Sequence, residues 1–190
     1  NPFAMPDAKA AQKIKEYADK KLEECNSMGG IIECVVKNMP AGIGEPVFDK
    51  LDAGLAKAVM SIGAVKGVEI GDGFMAAQST GLDNNDAFRM QDGKVVKATN
   101  HAGGILGGMS DGSDIILRAA VKPTPSIASV QQTVNKQGEE IDISIHGRHD
   151  PMIVPRAVVV VEAMTALTLV DMLFMGMTSR LDRIVDFYKR

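Results

Sequence analysis

Three ionisable side chains stand together near residue 150, at the end of a predicted strand. Segment 147–151 reads Gly-Arg-His-Asp-Pro and sets a fixed cation, an imidazole and a carboxylate within three residues. Side chains of these types can bind a charged ligand or exchange protons with it. The alternative is a surface ion pair between Arg148 and Asp150, worth about 0 to 1 kcal/mol. We favour a functional site, because three ionisable residues between glycine and proline are a costly way to make a turn.

Two other segments consist of residue types that core packing does not explain. Residues 100–108 read Asn-His-Ala-Gly-Gly-Ile-Leu-Gly-Gly, whose four glycines would let backbone amides approach a flat ring or an anion. They could equally form only a sharp turn in which His101 is structural. Residues 122–127 read Lys-Pro-Thr-Pro-Ser-Ile, where two prolines stiffen the chain and leave one lysine and two hydroxyls for a polar ligand. For residues 42–52, Gly-Ile-Gly-Glu-Pro-Val-Phe-Asp-Lys-Leu-Asp, we favour structural capping and packing.

Composition excludes several classes of function. The chain has 190 residues, enough for a sizeable core, and we expect residues 1–190 to form a single domain. It has 21 basic against 24 acidic residues, and its seven arginines are dispersed, so no nucleic-acid partner is predicted. Cys25 and Cys34 are too few for a disulfide scaffold and favour a reducing cytoplasm. His146 and His149 have no third ligand at a suitable spacing, so no metal site is assigned.

The elements that must position these segments begin with a repeated order of helix and strand. Asp7 is expected to cap a helix that runs to about Cys25, and a strand is expected at residues 31–36. Asp49 is expected to cap a second helix, which a strand at residues 64–70 follows. The chain therefore alternates helix and strand before the polar segment that comes next.

The remainder of the chain is predicted to be strands, one long loop and one helix. Residues 79–99 are a polar excursion, a candidate for mobility, with at most a hairpin around residues 91–93. Strands are predicted at residues 115–121 and 141–145. Pro155 is expected to begin a helix of roughly 20 residues.

That last helix is apolar on nearly every side. Residues 157–177 are the one candidate membrane span, but Glu162 and Asp171 interrupt them. The longest uncharged stretch falls short of about 18 residues, so a buried helix is the better interpretation and no membrane contact is predicted. We expect this chain or a partner to cover the helix.

Five of the segments together resemble the chorismate synthase family in identity, order and spacing. They are residues 42–52, 64–74, 100–108, 122–127 and 147–151. The resemblance covers the chain from about Pro6 onward and corresponds to the carboxyl-terminal half of that family's protein. It implies an α+β fold, a partial β-α-β sandwich with helices layered against antiparallel sheet, and assembly as a homotetramer.

The resemblance also implies an activity. Members of the family are lyases of the shikimate pathway, which leads to the aromatic amino acids. They remove phosphate from 5-enolpyruvylshikimate 3-phosphate by a 1,4-anti elimination that gives chorismate. The cofactor is reduced FMN, which some members regenerate with NADPH and others obtain from external reductants. The flavin would carry the difficult chemistry, while the protein would bind and orient it.

Carried over residue by residue, the resemblance places flavin contacts on small residues, one stiff segment and one cation. They are Gly63, Ala64, Gly107, Lys122, Pro123, Thr124, Pro125, Ser126 and Arg148. Small residues would admit the isoalloxazine ring, while Lys122, Thr124 and Ser126 would donate hydrogen bonds to polar groups or phosphate. Arg148 and Asp150 would be catalytic residues where flavin and substrate meet, with Asp150 as a proton relay.

Other segments of the family are missing from these residues. The Gly-Glu-Ser-His-Gly and Arg-Pro-Gly-His segments, which hold the family's catalytic histidines, do not occur, and neither does Ser-Ala-Arg-Glu. A substrate with one phosphate and two carboxylates needs a dense cationic pocket, which dispersed arginines do not provide. We therefore expect an amino-terminal truncation of the enzyme that is inactive by itself. The alternatives are a non-catalytic flavin-binding or assembly module and, less favoured, a phosphate-ligand binding protein.

Overall fold

The computed structural model describes residues 1–147 and 150–189. Arg148 and His149 lie outside the described residues, so the predictions made for them are not addressed by the fold. The chain divides into two compact units. The first unit consists of Asn1–Ile32 with Ala120–Val159, and the second unit consists of Glu33–Ala119 with Val160–Arg190.

The described residues form helices and antiparallel hairpins in roughly equal number. The helices are α1 Ala8–Glu23, α2 Leu51–Met60, α3 Val154–Met177 and α4 Leu181–Tyr188, with a 3-10 helix at Gly73–Gln78. The strands are β1 Gly30–Val36, β2 Val65–Ile70, β3 Phe88–Gln91, β4 Lys94–Lys97, β5 Ile105–Leu106, β6 Met109–Ser110, β7 Ile115–Val121, β8 Gln131–Val134 and β9 Glu140–Ile143. One sheet has the strand order β1-β7-β2, and the pairs β3–β4, β5–β6 and β8–β9 are antiparallel.

In the first unit, α1 begins as its sequence predicts. The side chain of Asp7 accepts a hydrogen bond from the amide of Lys9 at 2.8 Å, which satisfies a backbone donor of the first turn. The helix ends at Glu23, close to its predicted end. Ala11 and Ala18 are its buried residues, so small side chains line the covered face.

The hairpin of β8 and β9 is shorter at its carboxyl end than the strand predicted for residues 141–145. Its register pairs Gln131 with Ile143. Beyond that pair the hydroxyl of Ser144 donates to the carbonyl of Ala128 at 2.6 Å. The chain therefore leaves the hairpin at Ser144 and hydrogen bonds with residues that precede β8.

The core of the second unit forms on one face of α2. Leu51, Leu55 and Val59 recur every four residues and are fully buried. Three alternate residues of β7 are also fully buried: Ile115, Leu117 and Ala119. A period of four along a helix and of two along a strand each gather apolar side chains on one face. The predicted helix and strand are confirmed here by their burial as well as by their bounds.

The predicted cap of α2 by Asp49 is wrong. Lys50 occupies the N-cap position, and its side chain makes no capping hydrogen bond. The amide of Leu51 donates instead to the carbonyl of Gly108 at 2.8 Å. Asp49 uses its carbonyl to accept a bond from the amide of Glu45 at 3.0 Å. A side chain was expected to accept a hydrogen bond from the first turn of α2. A carbonyl from a distant turn accepts that hydrogen bond instead.

The hairpin expected inside residues 79–99 is present. β3 and β4 pair from Phe88 with Lys97 to Gln91 with Lys94. Asp92 and Gly93 form the two-residue turn, with φ of 50° and 74°. Positive φ at both turn positions matches the right-handed twist of the strands, and the sequence Asp-Gly favours it.

Helix α3 is covered by its own chain along a single stripe. The buried residues of that stripe are Val161, Thr165, Leu169 and Met172. Leu167 and Phe174 are 66% and 64% exposed. Among the described residues, α3 is the one helix whose length and composition would suffice to cross a membrane, although Glu162 and Asp171 lie within it. Of the two ways in which the helix was expected to be covered, this chain supplies only the single stripe, and coverage by a partner stays a prediction.

Candidate functional site

Residues 122–126 leave the end of β7 as an anchored segment of the first unit. The hydroxyl of Ser27 donates to the carbonyl oxygen of Thr124 at 2.6 Å. The side-chain amide of Gln131 donates to the carbonyl of Pro125 at 3.1 Å. Two side chains thus hold two consecutive carbonyls, in a stretch that its prolines already stiffen. The backbone of the predicted flavin segment is fixed before any ligand binds.

Glycine at position 29 is required for the approach of a neighbouring strand to this segment. A Cβ at Gly29 would overlap the carbonyl oxygen of Val121 and lie 3.1 Å from the Cδ of Pro123. Only a residue without a side chain allows two backbones to come this close. The contact sets the place from which residues 122–126 emerge.

The side chain of Thr124 lacks a partner. Its Oγ1 is buried and makes no hydrogen bond with any residue in the described ranges. Buried hydroxyls in folded proteins are nearly always hydrogen bonded, and leaving one unpaired costs about 1 to 3 kcal/mol. Lys122 is exposed. The segment therefore offers one unpaired hydroxyl and one exposed cation to a polar ligand.

Asp150 forms an ion pair at the edge of the same unit. Its Oδ2 lies 2.7 Å from Nη1 of Arg156, and the two side chains are 33% and 75% exposed, respectively. An ion pair so open to solvent is worth about 0 to 1 kcal/mol. The predicted partner of this carboxylate, Arg148, lies outside the described residues. The guanidinium that the structure brings to Asp150 is that of Arg156.

A small cavity brings Asp150 next to the predicted flavin segment. It has a volume of about 130 Å³ and is lined by Leu22, Cys25, Asn26, Ser27, Ile127, Ala128, Gly147, Asp150 and Pro151. Ile127 follows directly after Ser126. A water molecule occupies about 30 Å³ of liquid, so the cavity would admit a few waters or one small functional group. It can receive an edge of a ligand beside the carboxylate, but not a whole flavin.

In the second unit, Gly107 lies at the tip of the β5–β6 hairpin. Gly107 and Gly108 form its turn, with φ of 60° and 86°, a conformation that favours glycine. A Cβ at Gly107 would meet no atom within 4 Å. Gly107 is exposed and Gly108 is buried, so a flat ring could approach the backbone closely only on the side of Gly107.

Gly63 and Ala64 lie between the end of α2 and the start of β2. Ala64 has φ of 71°, which is uncommon for a residue with a side chain and stores strain of order 1 to 3 kcal/mol. A Cβ at Gly63 would meet no atom within 4 Å. The Gly108 carbonyl bonds Leu51 at the other end of α2. Since ten residues of helix span about 15 Å, the structure does not bring Gly63 and Gly107 together. A ligand touching both would have to extend along the helix.

His101 is held by a neighbouring carboxylate, as its structural interpretation predicts. Its Nδ1 lies 2.6 Å from Oδ2 of Asp72. The amide of Asp72 also donates to the carbonyl of His101 at 2.8 Å. A Cβ at Gly71 would overlap that same carbonyl. The glycine-rich loop therefore packs directly onto the turn that follows β2.

Three charged side chains beside this loop are buried, which the sequence did not predict. Asp86, Lys97 and Asp111 have side chains only 4%, 4% and 8% exposed. Lys97 Nζ lies 3.5 Å from Asp86 and also binds Asp111. These partners stand 11 and 14 residues apart in a polar stretch, where charged residues are ordinarily solvated. No local pattern distinguishes them, because their burial arises from the way the segments fold together.

The carboxylate of Asp86 is strongly acidic. Burial alone would raise its pKa. Hydrogen bonds from the amide of Ala102, the hydroxyl of Thr99 and the amide of His101, together with the charge of Lys97, outweigh that effect and lower the pKa of Asp86 to about 2. Asp86 is therefore an anion across the ordinary pH range, surrounded by donors.

The fold and these candidate sites define an α+β protein with a glycine-rich hairpin and a stiff proline segment, and comparison with known proteins identifies its family. A sequence profile described as "Chorismate synthase" matches residues 1–174. The chain belongs to the chorismate synthase family.

Individual relatives agree with that assignment. The chain is 66% identical over 190 residues to the chorismate synthase of Lachnospira eligens, covering 100% of this chain and 52% of the relative. It is 57% identical over 182 residues to that of Archaeoglobus fulgidus, covering 95% of this chain and 51% of the relative. The chain spans about half the length of the curated relatives it matches.

A solved structure shows the same fold. The structure titled "Crystal Structure of Chorismate Synthase" matches with a TM-score of 0.75 at 30% identity, covering 97% of this chain and 49% of that one. The predicted α+β class is confirmed. The expected family is confirmed as well.

Proposed function

We propose that this chain forms one wall of the flavin and substrate site of a chorismate synthase. The activity of the whole enzyme would be the elimination of phosphate from 5-enolpyruvylshikimate 3-phosphate to give chorismate. The observation that carries the proposal is the family match over residues 1–174. By itself the chain is proposed to be inactive, because it contains neither histidine segment of the family.

The residues present fit FMN. Thr124 contributes a buried hydroxyl that has no partner among the described residues. Gly107 presents an exposed backbone whose missing Cβ leaves open space on that side. Lys122, two residues before Thr124 in the sequence, adds an exposed cation. The donors of Lys122 and Thr124 in the first unit fit polar or anionic groups of FMN, and the open backbone at Gly107 in the second unit fits a flat ring.

Each residue has a proposed task toward the cofactor. Lys122, Thr124 and Ser126 would bind its polar groups or its phosphate, and the fixed backbone of residues 122–126 would hold them in place. Gly63, Ala64 and Gly107 would accept its flat or extended parts. Pro123 and Pro125 would keep the segment rigid. When bound, reduced FMN supplies electron density to the substrate as the carbon–oxygen bond breaks.

Asp150 would hold and move a proton. Arg156 binds Oδ2 of its carboxylate at 2.7 Å. The other oxygen, Oδ1, would then face the proton that is exchanged. The small cavity beside Asp150 would admit the edge of the ligand and few waters. Arg148 is proposed to contact the flavin at the place where cofactor and substrate meet.

The exposed apolar surface of α3 supports assembly with other protein. We propose a homotetramer, a cytoplasmic location and NADPH as a candidate source of reducing equivalents for the flavin. Val159 and Leu167 are 62% and 66% exposed on α3. Contiguous apolar surface of this kind ordinarily marks an interaction site. A non-catalytic flavin-binding or assembly module is the second candidate. Both candidates predict no turnover by this chain alone, so turnover by the full-length natural protein separates them.

The test measures flavin binding and turnover separately. Titration of FMN with the wild-type chain, followed by flavin fluorescence, should show saturable binding. Thr124→Val should weaken it at least about tenfold, since one charge-assisted bond to a ligand is worth about 1.5 to 3 kcal/mol. Thr133→Val, at an exposed threonine of β8, is the matched control and should bind as the wild type does. The substrate with reduced FMN should give no chorismate.

Two results would contradict the proposal. If the wild-type chain did not bind FMN, the chain would not form one wall of a flavin site. Turnover of 5-enolpyruvylshikimate 3-phosphate by the 190 residues alone would show that the missing histidine segments are dispensable.

A further inference from the structure

The start of the glycine-rich loop is bound by a single carboxylate. Asp86 Oδ1 accepts hydrogen bonds from the hydroxyl of Thr99 and the amide of His101, both at 2.7 Å. Its Oδ2 accepts a bond from the amide of Ala102 at 3.0 Å. Three donors within four residues of chain converge on one side chain, so the loop's entry has one conformation.

The far side of the loop is bound by the backbone amide of a second aspartate, Asp111. The amide of Asp111 donates to the carbonyl of Gly104 at 3.0 Å. Its Oδ1 accepts a bond from the amide of Ser113 at 2.8 Å. Asp111 comes directly after β6, so it closes the β5–β6 hairpin whose tip is Gly107.

Lys97 joins the two ends. Its ammonium contacts Asp86 at 3.5 Å and binds Asp111. All three side chains are less than one-tenth exposed. Removal of one member of a buried ionic network strongly destabilises the fold, because the remaining members are left charged and unpaired. Such a network favours one arrangement of the segments it joins.

We propose that Asp86, Lys97 and Asp111 form a clamp that positions the β5–β6 hairpin and so presents Gly107 for flavin binding. These are positioning residues, since none of them is proposed to touch the cofactor. The inference rests on the proposed function of Gly107 as a flavin contact. The hairpin of β3 and β4, which carries Lys97, thereby becomes part of the site's support.

The clamp makes a quantitative prediction about affinity. The dissociation constant for a ligand rises in proportion as the population of the binding-competent conformation falls. If loss of the clamp leaves the loop competent about one-tenth of the time, FMN binding weakens about tenfold. The groups that bind FMN are unchanged in such a variant, so the loss of FMN affinity reports only on the position of the β5–β6 hairpin.

The test compares Asp86→Asn with Asp92→Asn in the full chain. Both variants remove one negative charge from residues 79–99, but Asp92 is exposed at the tip of the β3–β4 turn, where asparagine is well tolerated. Amide hydrogen exchange and FMN titration are measured on each. If Asp86→Asn fails to fold, Asp111→Asn is measured instead, because it removes the other carboxylate that Lys97 binds.

The proposal expects residues 103–108 to open locally in Asp86→Asn, with exchange about tenfold faster and little changed by dilute urea, whereas exchange at the buried amides of Leu55 and Leu117 should depend strongly on urea, as global unfolding requires. FMN should bind this variant about tenfold more weakly, and Asp92→Asn as the wild type does. Exchange at residues 103–108 with the same strong urea dependence as Leu55 and Leu117 would show a purely global stabiliser and overturn the clamp. Unchanged FMN affinity in Asp86→Asn, beside normal binding by the wild type, would also overturn it. Failure of the wild type to bind FMN would instead overturn the proposed function, on which the clamp's effect depends.

Discussion

Acid should remove a defined part of this chain's stability through Asp86. The pKa of Asp86 is lowered from 3.8 to about 2 in the folded chain, despite a burial that alone would raise it. A folded-state pKa below the unfolded one stabilises the fold above the unfolded pKa, and this contribution disappears as the pH falls through the folded pKa. Stability from Asp86 is therefore complete above about pH 4 and lost toward about pH 2.

The size of the effect follows from the shift. The shift is nearly two pH units and each unit corresponds to about 1.4 kcal/mol, so Asp86 should contribute about 2 kcal/mol near neutral pH. Residue Asp86 is only 8% exposed, so solvent does little to screen this interaction. Urea denaturation at several pH values between about 2 and 6 measures the contribution.

The variant Asp86→Asn isolates this carboxylate from the others that titrate in the same range. Wild type should exceed Asp86→Asn in unfolding free energy by an amount that shrinks by about 2 kcal/mol from about pH 6 to about pH 2. Asp92→Asn is the control, and its difference from wild type should not change in this way. A constant difference between wild type and Asp86→Asn across the whole range would refute the reasoning.

Three further predictions concern packing, turn geometry and thiol reactivity. Leu55→Ala should lower the unfolding free energy in urea by about 2 to 5 kcal/mol, because Leu55 is fully buried, and a loss below about 1 kcal/mol would be inconsistent with this. Gly108→Ala should lower the thermal midpoint more than Gly107→Ala, since both have positive φ but only a Cβ at Gly108 collides with a neighbouring side chain, and equal midpoints would argue against it. Iodoacetamide should alkylate exposed Cys25 before Cys34, because burial raises the pKa of the Cys34 thiol, and peptide mass spectrometry showing the reverse order would disprove this.

Local sequence patterns predicted the elements whose stability is local. The Asp7 cap gave the start of α1, and the Asp-Gly pair at residues 92–93 gave the turn between β3 and β4. Both depend on residues within a few positions of each other, so a single stretch of sequence holds the whole explanation. The four-residue spacing of Leu51, Leu55 and Val59 is local in the same way, and it accounts for the buried face of α2.

Features that depend on distant segments could not be predicted in this way. The start of α2 is bound by the carbonyl of Gly108 and not by Asp49, and that carbonyl is more than fifty positions away in the sequence. Asp86 and Lys97 look like solvated charges until the loop folds over them. Their burial is a property of the tertiary fold, which periodicity does not describe.

The candidate site was predicted through its family resemblance more than through its chemistry. Thr124 was named as a flavin contact, and its buried hydroxyl, which has no partner among residues 1–147 and 150–189, gives that prediction a physical basis. The partner expected for Asp150 was Arg148, whereas Arg156 is the guanidinium beside it among the described residues. A surface ion pair between residues six positions apart has no sequence pattern that separates it from its many alternatives.

An NMR titration of the labelled chain with FMN tests the flavin wall most directly. The account predicts that the amides of Gly63, Ala64, Gly107, Lys122, Thr124 and Ser126 shift together and fit one common dissociation constant. Shifts confined to other residues, or none at about 1 mM FMN, would contradict it.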